Sequence, residues 1–172
     1  MAQLVAAFRA AGHPIVHIVR FYVPGNDDVD LPRRQQILAG QQIAAPGTDG
    51  SQIPTVLLPR KLLLEPDLLR DGQFQRVGPR EHIAFKPRWS AFYRTRLDEH
   101  LRDHNVNTVV VAGCNLPNCP RATLFDASER DYRAVLVQDA TSQVTQERLD
   151  DLALIGVTVT DTAIVQLRLG GP

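Results

Sequence analysis

Apolar positions recur along this chain in two rhythms. Between residues 2 and 11, Leu4, Val5, Phe8 and Ala11 fall at helical intervals, and Gly12 ahead of Pro14 supplies a stop, which predicts a short amphipathic helix. The next stretch, IVHIVRFY at 15–22, is crowded with β-branched and aromatic side chains and runs into Pro24-Gly25. That composition predicts a largely buried strand closed by a turn. From Pro24 to about Pro79 the pattern dissolves into Pro, Gly, Asp and Gln, with short helical candidates at 33–38 and 66–70, so irregular cover is expected there.

Periodicity returns at 82–86, HIAFK, a short strand, and continues through 90–105, where Leu97 and Leu101 share one helix face. Beyond it the alternation is regular: strand at 108–113 (TVVVAG), helix at 119–130, strand at 133–139 (RAVLVQD), helix at 145–154, strand at 157–161 and a last helix to about 169. Apolar strands alternating with helices of this length define βαβ units. The expected fold is a three-layer α/β/α sandwich around a mostly parallel, Rossmann-like sheet, read as one domain over 1–172.

Composition narrows the partners. The chain has 172 residues, 44% of them hydrophobic, and 19 basic against 19 acidic residues, so no net field gathers nucleic acid or an anionic membrane. No apolar run approaches the ~20 residues of a membrane helix. Arg9 interrupts the first apolar stretch, which does not fit a secretory signal, and a cytoplasmic protein is expected. The two cysteines, Cys114 and Cys119, lie in one segment at a spacing that suits neither a CxxC motif nor a structural bridge, so free thiols are expected. His13, His17, His82, His100 and His104 are scattered, with His100 and His104 placed on an exposed helix face, and no metal or other cofactor is expected. No Gly-rich phosphate loop follows a strand.

The chemistry concentrates in GCNLPNCPRAT at 113–123, between a strand and a helix, where parallel α/β sheets bind their ligands. Cys119 falls at the amino end of that helix, where unpaired N–H groups and the helix dipole favour a thiolate. Pro120 suits the first helical turn. Taken alone, such a cysteine is more often a buried small hydrophobe than a nucleophile. Context reverses this reading: the segment, together with LFDASERDYRAVLVQDATS after it, resembles the nucleophile strand, elbow and following strand of the isochorismatase-like cysteine hydrolases.

That resemblance implies an α/β hydrolase with Cys119 as nucleophile and Lys86, at the head of KPRWSAF, as the catalytic lysine. The implied reaction is attack of sulfur on an amide-like C–N carbonyl of a small molecule, a thioester, then hydrolysis. The lysine would stabilise the thiolate, and backbone N–H groups of Asn115, Leu116 and Asn118 would form the oxyanion hole. Arg20, Tyr22, Trp89 and Phe92 are candidate pocket walls, although core packing and a surface cation account for them equally well. A homo-oligomer is expected. Cys114 reads as packing, and Asp139 as a structural residue bonding to the turn after its strand.

The sequence departs from the family at its start. The family places a catalytic aspartate at the end of a first, central strand, whereas MAQLVAAFRAAGHPIVHIVRFY resembles the first helix and second strand. A natural chain extending further upstream is the expectation. One of Asp27, Asp28 and Asp30 is a weak substitute for the acid, since such a run is usually a solvated loop. Nicotinamidase chemistry fits poorly, because no histidine follows the second strand where those relatives hold zinc. The reading that competes with an enzyme is a catalytically inactive relative that binds a ligand or another protomer.

Overall fold

The computed structural model describes residues 1–23, Gly25 and 28–170. Seven helices and six strands follow one another among them. They are α1 (Ala2–Ala10), β1 (Ile15–Val19), α2 (Leu31–Leu38), α3 (Pro66–Arg70), β2 (Gln75–Gly78), β3 (Glu81–Phe85), α4 (Leu97–Asp103), β4 (Thr108–Gly113), α5 (Cys119–Ser128), β5 (Arg133–Thr141), α6 (Gln146–Ala153), β6 (Thr158–Thr160) and α7 (Thr162–Leu169). The α/β layering predicted from the alternation is present. Among the described residues no helix is long and apolar enough to cross a membrane.

The sheet is in two halves. One has the order β1-β3-β2, with β1 parallel and β2 antiparallel to β3; the other is the all-parallel β4-β5-β6. Their facing edges, β1 and β4, form no ladder and stay more than 8 Å apart over most of their length. They nevertheless share a core. Val16 and Ile18 of β1, and Val109 and Val111 of β4, pack against one cluster built on Leu97, Leu101, Leu124, Leu136 and Leu152. On the opposite face Leu4 and Phe8 of α1 join Val110, Val137 and Val165. The first strand is therefore not largely buried: all of β1 but Val19 is half-buried, as is β4 throughout, because each has one edge without a neighbour.

Several boundaries differ from the expected ones for local reasons. The strand predicted at 15–22 stops at Val19, and the Tyr22 amide bonds instead to Ala44 O at 3.3 Å. The helix predicted at 90–105 begins only at Leu97, after Arg94 takes a left-handed φ of 50° and Thr95 Oγ1 accepts from the Leu97 amide. The antiparallel β2 was not expected, since QRVG lacks a strand rhythm and carries a glycine. The other helices and strands fall within a few residues of their predicted places, with α6 entered through Thr145, whose hydroxyl accepts from the Arg148 amide.

One polar contact ties the layers. Glu81, 3% exposed, accepts both Arg9 Nε (2.9 Å) and Nη2 (2.8 Å) and meets His17 Nε2 at 2.7 Å, linking β3 to α1 and β1. Burial pushes this carboxyl up, but the bonds from Arg9 and His17 prevail and hold it below the ordinary range.

Candidate active site

The carboxyl ends of β3 and β4 bring Lys86 and Cys119 together. Lys86 follows β3 directly, its amide bonded to Val19 O at 3.1 Å, and its side chain turns inward so that the residue is 5% exposed. Its Nζ donates to the Trp89 carbonyl. Burial lowers the Lys86 pKa, and the nearby Cys119 sulfur opposes that shift; Arg20 adds to the lowering, while Cys114 opposes it. The buried lysine nitrogen is tolerated in such a place because the Trp89 carbonyl and the Cys119 sulfur stand beside it.

Cys119 is the first residue of α5, partly exposed, with Pro120 behind it in the first turn. The elbow that carries it is fastened to the end of β5. Leu116 N donates to Ser142 O (2.9 Å), Ser142 N to Gly113 O (3.0 Å), and Ser142 Oγ to Asn115 Oδ1 (2.7 Å). The Cys114–Asn115 peptide bond is cis.

These bonds revise the expected oxyanion hole. The amides of Leu116 and Asn118 are already committed, to Ser142 O and Asn115 O respectively. The amides of Asn115 and Cys119 donate to no acceptor among the described residues. Cys114 is also revised: it is exposed, so it is not a packing residue.

The four predicted wall residues separate. Arg20 lies over the Tyr22 ring (4.0 Å) and near Phe85 (5.4 Å), and donates to Phe21 O and Asp28 O at 2.9 and 2.8 Å. Tyr22 is buried and spends its hydroxyl on Asp30 Oδ2 at 2.9 Å. Trp89 contributes its carbonyl to Lys86 and its ring face to Arg33, 4.8 Å away. Phe92 is a core residue, 5% exposed and stacked on Tyr132, which removes it from the pocket.

Of the acids after β1, Asp27 lies outside the described residues. Asp30 is bound to Tyr22 and Arg33, and Asp28 stands 3.7 Å from Arg20; neither hydrogen-bonds to Lys86 or to a cysteine. Asp139 accepts from the Thr162 amide and hydroxyl, both at 2.9 Å, and so joins β5 to the start of α7. Among the described residues no group of three His, Cys, Asp or Glu is arranged to hold a metal.

One cluster escaped the sequence reading. His100 and His104 are not on a free helix face: His100 stacks on Phe74 (4.3 Å between centroids) and packs against His82 of β3 (4.9 Å) and His104 (4.4 Å). The i, i+4 spacing of His100 and His104 was the available signal, but a facing strand residue cannot be read from spacing.

Fold and elbow together define an α/β protein with a thiol at a strand-to-helix turn beside a buried lysine. The isochorismatase domain model matches residues 72–164, which include both Lys86 and Cys119, and the chain belongs to the isochorismatase family. It is 42% identical over 162 residues to a protein of Arabidopsis thaliana named probable inactive nicotinamidase, covering 90% of this chain and 74% of that one. It is 28% identical to the ureidoacrylate amidohydrolase RutB of Methylobacterium radiotolerans, covering 100% of this chain and 67% of the relative, and it spans 60% of other RutB proteins. A crystal structure of an isochorismatase family protein from Desulfovibrio vulgaris superposes with a TM-score of 0.80 at 30% identity, covering 98% of this chain and 82% of the other.

Proposed function

We propose that this chain hydrolyses an amide-like C–N bond of a small molecule, with Cys119 as nucleophile and Lys86 as its electrostatic and proton-transfer partner. The observation that carries the reading is the placement of a buried lysine, its pKa lowered by desolvation, beside the sulfur at the start of α5. The names of the RutB relatives support the bond type.

In this mechanism the Cys119 proton passes to Lys86 and the sulfur adds to the carbonyl carbon. Negative charge on the carbonyl oxygen is met by the amides of Asn115 and Cys119. The C–N bond breaks as the proton is delivered to nitrogen, and the amine leaves. Water then adds to the thioester, the C–S bond breaks, and the acid departs with the thiol restored.

A second reading, a catalytically inactive relative, is favoured by one observation: no carboxylate bonds to the Lys86–Cys119 pair among the described residues, so the proposed base is the lysine alone. The name of the Arabidopsis relative agrees with it. A panel of small amides and ureido acids, assayed with wild type and Cys119→Ala, separates the two. Turnover lost in Cys119→Ala is expected, together with iodoacetamide labelling of Cys119 faster than that of glutathione at neutral pH and slowed in Lys86→Ala. No turnover, with labelling at the rate of an ordinary thiol, selects the inactive relative.

A further inference from the structure

The described residues form a cavity that Cys119 does not line. It has a volume of about 180 Å³ and lies at the end of β3, lined by neither Cys119 nor Lys86. Phe74, Phe85 and Pro87 give it an apolar wall, and three arginines, Arg70, Arg94 and Arg96, stand around it. Arg96 is neutralised by Glu99, whose two oxygens it holds at 2.9 Å, and Asp28, the one acid in the wall, faces Arg20 at 3.7 Å. Arg70 and Arg94 pair with no carboxylate among the described residues. The amides of Arg94 and Thr95, two residues of the lining, donate to no acceptor among them.

Two arginines without a carboxylate partner in the lining of one small concavity give it a positive potential, and the guanidinium fork matches a carboxylate in two parallel bonds. Donor amides in a turn add to the same preference. The volume is below the ~300 Å³ at which drug-sized ligands begin, and the aromatic wall calls for an apolar body. We propose that this cavity is a binding site for a small organic carboxylate of about benzoate's size, held by Arg70 and Arg94 with its apolar part against Phe74 and Phe85. It is separate from the thiol site and does not depend on the function proposed there.

The test is calorimetric titration of the full chain with benzoate and with the uncharged benzamide. Arg94→Gly is the informative variant, because Arg94 sits at φ 50°, a conformation glycine adopts without strain, so the guanidinium is removed while the fold is kept or made firmer. Saturable benzoate binding is expected, weakened about tenfold or more in Arg94→Gly and in Arg70→Ala, and about as weak for benzamide with wild type. It is expected to persist in Cys119→Ala. Absence of saturable benzoate binding to wild type overturns the proposal, as does binding that both arginine variants leave unchanged.

Discussion

The chemistry of this chain rests on where single polar groups are left without partners. Glu81 is buried against Arg9 and His17, so Glu81→Gln keeps its shape but removes the charge that the Arg9 guanidinium pairs with. A loss of about 1 to 3 kcal/mol is expected in urea unfolding, below the cost of breaking a fully buried pair because Arg9 is partly exposed. Leu136, fully buried at the centre of β5, is the contrasting apolar case: Leu136→Ala is expected to cost about 2 to 5 kcal/mol by the same measurement. Cys119 and Lys86 were legible because a helix start and a strand end fix where those side chains stand, whatever the loops do. Leu116 and Asn118 were not, since which amides of a turn remain free depends on its backbone bonds. Phe92 misled for a related reason: an aromatic after a strand faces a pocket or a core according to tertiary packing alone.

Between α4 and β3 the imidazoles of His82, His100 and His104 crowd together, and burial, followed by the charge of neighbouring rings, holds His82 low and His100 at about 4. The folded chain therefore keeps the His82 and His100 rings neutral. Their contribution is complete above about pH 6.5, where folded and unfolded chains are both unprotonated, and it is lost as pH falls toward 4, where only the unfolded chain takes up the proton. For His100 the ceiling is about 3 kcal/mol, lessened by solvent screening of a partly exposed ring. Thermal melts at about pH 7 and pH 5 are expected to differ less in His100→Leu, which keeps an apolar side chain against Phe74, than in wild type; an unchanged difference rules the cluster out as the source. The elements themselves were largely legible, because 3.6- and 2-residue rhythms are local. The late start of α4 was not: the unusual backbone of Arg94 and the Thr95 hydroxyl, rather than propensity, decide it.

Taken as a whole, the molecule has a three-layer architecture that could be read from alternation, and a division between its sheets that could not. An apolar strand such as TVVVAG carries no sign of whether one or both of its edges will be paired. Hydrogen exchange should reveal it: amides of β4 that do not bond to β5 are expected to exchange faster than those of β5, which is paired on both sides. Equal protection along β4 and β5 would show that the edge is covered in solution. The division also sets how the chemistry is aligned. Lys86 is carried by β3 in one sheet and Cys119 by the elbow after β4 in the other, with no ladder of backbone bonds to gauge the distance between them. That distance is kept by the helices clamped across both halves, so a slight slackening of side-chain packing would unhitch ammonium from sulfur while each strand ladder remained whole.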